Sequence, residues 1–150
     1  MDDGCAGSAA TGGRILAVDL GSRRIGLAVS DPLGLTAQGL PSLERGADAP
    51  GQVLAVRDQW EATTIVVGLP LNMNGSRGPA ARAAEAFASE LGQRSQVLVV
   101  LQDERLSTVT AERVLVECGV NRARRRTKGL VDRGAAAVIL QSYLDRMRKA

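Results

Sequence analysis

The segment Thr64-Ile65-Val66-Val67-Gly68-Leu69 is an unbroken, largely β-branched run without polar and apolar alternation. A strand of that kind hides both faces, as parallel strands covered by helices on either side do. Helical patterns bracket it. Upstream, Asp48 reads as a helix cap, with Pro50 in the first turn and Val53, Val56 and Trp60 at helical spacing. Downstream, Ala80, Ala83, Ala84, Phe87, Ala88 and Leu91 follow the i, i+3, i+4, i+7 rule, and Val97 to Leu101 predicts another buried strand.

The segments before and after this unit extend it. Ile15 to Leu20 and Ile25 to Ser30 are short apolar runs separated by Gly21-Ser22-Arg23-Arg24, which predicts an antiparallel pair. Leu35 to Leu43 adds a third strand, kept at an edge or irregular by Pro32 and Pro41. Ser107 can cap a helix carrying Ala111, Val114, Leu115 and Cys118, stopped by Gly119. A basic connection, Arg122 to Lys128, leads to a long final helix, Leu130 to Met147. Met1 to Gly13 is small, polar and glycine-rich, and reads as a flexible leader before one domain spanning residues 14–150. The order βββ, α, β, α, β, α, α predicts an α/β layer structure with a central mixed sheet.

One domain of 150 residues can bury a real core, but with one Trp, one Tyr and one Phe the packing falls to Val, Leu, Ile and Ala. A nucleic-acid surface built on stacked aromatics is excluded. Charge is unevenly placed. Asn121 to the C-terminus holds nine basic and two acidic residues, a net +7, while the first 120 residues carry −4, together the +3 of the whole chain. Such a patch fits a polyanion such as RNA or DNA, and equally a solvated charged face. Two cysteines, Cys5 and Cys118, are too few for a disulfide framework or a zinc site, and no stretch is long and apolar enough to span a membrane. With no signal-peptide pattern at the start, the expected compartment is the cytoplasm.

Three acids stand where chemistry can gather. Asp19 ends the apolar segment Ile15-Leu16-Ala17-Val18-Asp19-Leu20, where an uncompensated carboxylate would be costly; its alternative role is to cap the turn through the amides of Ser22 or Arg23. Asp103-Glu104-Arg105 follows the strand Val97 to Leu101, at the end where open α/β sheets place ligands. Strand alternation lets only one of Asp103 and Glu104 share a centre with Asp19, and a surface ion pair with Arg105 is the alternative. Asp132 lies one turn into the last helix, where the helix dipole keeps an acid ionised. With no histidine in the chain and no cysteine constellation, carboxylates of this kind select hard cations, Mg²⁺ or Mn²⁺. Two such ions about 4 Å apart can activate water and stabilise the leaving oxygen of a phosphodiester. Asp19-Leu20-Gly21-Ser22 with Gly26 is also similar to the first phosphate loop of actin-like ATPases, but those need a second lobe, for which this chain is too short.

Four ordered motifs together resemble the YqgF/RuvX family: Ala17 to Asp31 (AVDLGSRRIGLAVSD), Val67 to Gly75 (VGLPLNMNG), Asp103 to Thr108 (DERLST) and Lys128 to Asp132 (KGLVD). The likeness runs from Arg14 to about Arg146. It implies an RNase H-like fold related to Holliday-junction resolvases, with the family's acidic site carried onto Asp19, Glu104 and Asp132, so that Glu104 is the residue of its pair that shares the centre. The activities it implies are 5′-end maturation of pre-16S rRNA and resolution of four-way DNA junctions, between which the motifs do not choose. On this reading Asp19 bridges the metals and Glu104 and Asp132 complete their shells. Arg23, Arg24 and Arg105 meet phosphates near the cut, while Arg122, Arg124, Arg125, Arg126 and Lys128 hold the flanking strand. The loop Asn72-Met73-Asn74-Gly75, after Gly68-Leu69-Pro70, is either a plain turn or a substrate contact. A structured-RNA-binding module without turnover is the competing function. Monomer and homodimer are both open.

Overall fold

The chain doubles back twice before its first helix. In the computed structural model, which describes residues 13–72, 74–104 and 128–149 (with side chains for 135–147 of the last segment), β1 (Arg14–Leu20) pairs antiparallel with β2 (Arg24–Ser30). β2 in turn pairs antiparallel with β3 (Ala37–Glu44). The turn from β1 to β2 is closed by the Gly21 N–H donating to the Arg24 carbonyl at 2.9 Å. β3 starts two residues later than the sequence predicts, because Asp31 holds Leu35 and Thr36 in a loop: its Oδ1 accepts from their N–H groups at 2.7 and 3.1 Å. These amides, Thr36 foremost, hold the Asp31 carboxyl below its ordinary range. Between Ile25 and Leu27 the partner on β3 jumps from Leu43 to Leu40, a bulge that accommodates Pro41, which has no N–H for the ladder.

The rest is parallel. α1 (Ala49–Trp60) is capped by Asp48, which accepts from the Gly51 N–H, and ends at Glu61 in the left-handed region. β4 (Ala62–Leu69) then pairs parallel with β1. α2 (Pro79–Arg94) leads to β5 (Leu98–Asp103), which pairs parallel with β4. The sheet order is β3-β2-β1-β4-β5, the mixed five-stranded sheet expected. α3 (Lys128–Lys149) is the final helix. The predicted helix from Ser107 to Cys118, the basic run Arg122 to Arg126, and residues 1–12 lie outside the described residues.

Two cores sandwich the sheet. Leu16, Val18, Ile65 and Val67 pack with Val53, Phe87 and Leu91 under α1 and α2, and Ala17, Ala28 and Val66 pack with Ala136, Ile139 and Leu140 of α3. Alternation along each strand therefore sends neighbours to opposite layers. Two predicted details differ. β5 is an edge strand, with Leu98 60% exposed, because among the described residues it pairs on one side alone. In α2 the buried stripe is Ala81, Ala84, Phe87, Ala88 and Leu91, while Ala80 and Ala83 are exposed. So many alanines leave the edge of the apolar face undefined by sequence.

Candidate functional site

β1, β4 and β5 are parallel, so their carboxyl ends meet at one edge of the sheet. Asp19 shares its side of β1 with Ala17, the side that α3 covers. Since Val18 stands beside Val67, Asp19 comes level with Gly68 of β4, and Gly68 is in turn the partner of Gln102 on β5. Two residues on from Gln102, Glu104 returns to that same side just as the strand ends. β1, β4 and the end of β5 thus deliver Asp19, Gly68 and Glu104 to one face at the carboxyl edge of the sheet, with Glu104 one step beyond the row of Asp19, Gly68 and Gln102.

Gly68 explains how the row closes up. A Cβ built on it would lie 2.6 Å from Glu104 Oε2 and 2.6 Å from Ile139 Cδ1 of α3. The Glu104 carboxylate therefore rests over the bare backbone of β4, under α3. Glycine inside a strand often marks such a close approach. Sequence reading places Gly68 in the β4 run without a reason for glycine there; in the structure it is a ladder residue whose missing side chain makes room for the acid.

The electrostatics follow from this seat. The Glu104 carboxyl is pushed up to about 7, first by burial, then by the negative charge of Asp19 and then by that of Asp103. Two like charges are held close enough to disturb each other in a half-buried place, where a cation would relieve both. Asp19 and Glu104 are thus brought together; Asp132 lies in α3 seven residues, about two turns, before Ile139, and its side chain lies outside the described residues. Among the described residues no group of three or more His, Cys, Asp or Glu is placed to hold a metal ion.

The arginines divide similarly. Arg23 is exposed and Arg24 half-buried, beside the turn that follows Asp19. Arg105, Arg122, Arg124, Arg125 and Arg126 lie outside the described residues, as does the side chain of Lys128. One cation was missed. The β2–β3 pairing sets Arg24 opposite Glu44, so the next residue, Arg45, reaches the same edge; its N–H donates to the Arg23 carbonyl at 2.8 Å and its Nη1 to the Gly21 carbonyl at 3.0 Å. Counting hairpin register from the turn would have found it. In the loop after β4, Asn72 Nδ2 donates to Ser76 Oγ at 2.8 Å, and Asn74 Oδ1 accepts from the Ser76 N–H at 3.0 Å and the Ser76 hydroxyl at 2.7 Å. These groups brace the loop itself.

The family model for RuvX, described as Holliday junction resolvase, matches residues 13–146. The chain belongs to the RuvX family. A relative from Geobacillus kaustophilus, named "Putative pre-16S rRNA nuclease", is 51% identical over 139 residues, covering 90% of this chain and 99% of its own. A relative of the same name from Myxococcus xanthus is 51% identical over 138 residues, covering 90% and 89%. Among solved structures, Thermus thermophilus RuvC in complex with a Holliday junction substrate superposes with a TM-score of 0.54 at 21% identity, over 91% of this chain and 97% of that one. Fowlpox virus resolvase with Holliday junction DNA gives 0.58 at 12% identity, over 89% and 98%. These likenesses establish the fold: this RuvX chain is RNase H-like, of the RuvC type. Among its described residues no helix is long and apolar enough to cross a membrane.

Proposed function

We propose that this RuvX protein is a hydrolytic, divalent-metal-dependent endonuclease that acts in the cytoplasm in 5′-end maturation of pre-16S rRNA, with four-way DNA junctions as the alternative substrate. The observation that carries the reading is the enforced proximity of Asp19 and Glu104 beside Gly68, in a seat where burial first and the Asp19 charge second raise the Glu104 pKa. A protein gains nothing in stability from such a pair, and a bound cation gives it a purpose. The donors are carboxylate oxygens in a chain without histidine, so Mg²⁺ or Mn²⁺ fits and zinc does not.

Asp19, Glu104 and Asp132 would hold the metal, one carboxylate from each of two parallel strand ends and one from α3. When bound, such ions lower the pKa of water and stabilise the charge on the departing oxygen. The chain's own contribution is placement: β1 and β5 fix the two strand-borne acids across Gly68, and α3 shields them from one side. Arg23, Arg24 and Arg45 line the β2–β3 side of this edge and would meet backbone phosphates, with Arg105, Arg122, Arg124, Arg125, Arg126 and Lys128 holding the flanking strand. Phosphate contacts of this kind orient the substrate without reading its sequence.

The test offers purified protein a pre-16S rRNA fragment and a four-way DNA junction side by side in Mg²⁺, with Asp19→Asn as the control against contaminating nuclease. The expected outcome is cleavage of the RNA by the wild type, with the variant retaining its fold and nucleic-acid binding but losing at least about a thousandfold in rate. Cleavage by Asp19→Asn at the wild-type rate would falsify the site. Retardation of either substrate on a gel without cleavage in Mg²⁺ or Mn²⁺ would favour a binding module.

A further inference from the structure

Gln102 is an amide on the face of β5 that α3 covers, paired with Gly68 of β4. It is 1% exposed. A buried amide costs free energy unless both its ends are paired, and α3 supplies both partners. Gln102 Nε2 donates to Ser142 Oγ at 3.1 Å, and Gln102 Oε1 accepts from Arg146 Nη1 at 2.5 Å. Ser142 is itself buried. An aliphatic side chain would fill the same volume, but apolar contacts are non-directional and would leave the helix free to slide or roll by a fraction of a turn.

The place of this bond set gives it meaning. Ile139, Ser142 and Arg146 succeed one another at three- and four-residue spacing, which puts them along one stripe of α3. The first of them abuts Gly68, where the Glu104 carboxylate rests, and the other two grip Gln102, the residue paired with Gly68. The β4–β5 ladder runs out at Leu69 and Asp103, so Glu104 lies just beyond its hold.

We propose that Gln102, with Ser142 and Arg146, is a positioning device for the cation site: it locks α3 to the penultimate rung of the β4–β5 ladder, so that Glu104 and the helix carrying Asp132 keep one fixed separation. This rests on the metal-nuclease reading above. Gln102 touches neither substrate nor metal; it acts through the backbone of β5 and the body of α3. Cation sites tolerate little error in ligand placement, and loss of a supporting hydrogen bond commonly weakens them by tenfold or more.

The experiment uses the full chain and compares wild type with the double variant Gln102→Leu/Ser142→Ala, which removes the buried polar pair together. Mn²⁺ is titrated calorimetrically, thermal unfolding is followed in chelator, and cleavage is measured against Mg²⁺ concentration. The expected result is a Tm close to that of the wild type, a Mn²⁺ Kd raised about tenfold, and a matching rise in the Mg²⁺ needed for half-maximal cleavage with the KM for nucleic acid unchanged. Wild-type Mn²⁺ affinity in a folded double variant overturns the proposal, leaving the bonds a matter of packing alone. Should that variant not fold, Arg146→Met, altered at an exposed residue, takes its place, and unchanged Mn²⁺ affinity there has the same force. If the wild type itself binds no Mn²⁺, the metal-nuclease reading fails and takes this proposal with it, a result distinct from failure in the variants alone.

Discussion

Glu104 is where protonation, burial and neighbouring charge meet. Its carboxyl is raised from 4.5 to about 7 by burial, by Asp19 and by Asp103, in that order, so the folded chain prefers it neutral. The sign of the linkage follows. Below about pH 4.5 the group is protonated in both folded and unfolded states and contributes nothing differential; between there and pH 7 the unfolded chain releases the proton first, and stability falls as pH rises. Above pH 7 the penalty persists, on the order of 1–2 kcal/mol once solvent screening of this half-buried group is allowed for. Glu104→Gln is therefore expected to be more stable than the wild type in chelator at pH 8 by on the order of 1–2 kcal/mol, and indistinguishable from it at pH 4. Urea unfolding at the two pH values checks this. Equal stability at pH 8 would mean that neither burial nor Asp19 burdens Glu104. The sequence alone shows that an acid follows β5, and alternation limits the choice to one of Asp103 and Glu104. Alternation alone could not say which, because parity depends on the pairing with β4; the family resemblance pointed to Glu104, and the register agrees.

At the scale of the element, Gly68 reverses an ordinary rule. Glycine within a strand costs roughly 0.5–1 kcal/mol relative to alanine, so Gly→Ala there normally stabilises. Here the new Cβ would push aside Glu104 Oε2 and Ile139 Cδ1; the carboxylate end can swing away, but Ile139 is buried, so Gly68→Ala is expected to forfeit that gain, to destabilise by no more than about 1 kcal/mol, and to weaken metal binding by displacing the Glu104 carboxylate. A urea midpoint above that of the wild type would show the seat to be looser than described. Elements were legible wherever periodicity was strong: the β-branched run of β4, the apolar runs of β1 and β2, and the capped start of α1 all fall where the sequence puts them. Legibility failed where a tertiary partner decided the matter. β5 has the composition of a buried strand but lies at the sheet edge, and α2 could not declare which alanines face inward. The reason for a glycine at position 68 was hidden in the same way, since what it makes room for arrives from two other elements.

Across the whole molecule, parallel strand ends gather acid at one edge while arginines border it. Asp19 and Glu104 sit at the carboxyl ends of β1 and β5, and Arg23, Arg24 and Arg45 stand where the β1–β2 turn meets the end of β3. On the proposed function, a polyanion placed across that edge would meet arginines beside the carboxylates that hold the metal, a division of labour suited to cutting its backbone. Arg45→Ala is accordingly expected to weaken nucleic-acid binding uniformly across sequences and to reduce the salt slope by about one. Charge reversal at Arg124, Arg125 and Arg126 should flatten that slope further, which filter binding across a salt series would read. An unchanged slope in both variants would remove these residues from the interface.

The most direct measurement of the central claim is anomalous scattering from crystals soaked in Mn²⁺. The expected result is a peak between the carboxylates of Asp19 and Glu104, beside Gly68, that disappears in Asp19→Asn. Mn²⁺ bound only elsewhere on the protein, or a peak that persists unchanged in Asp19→Asn, would contradict the account.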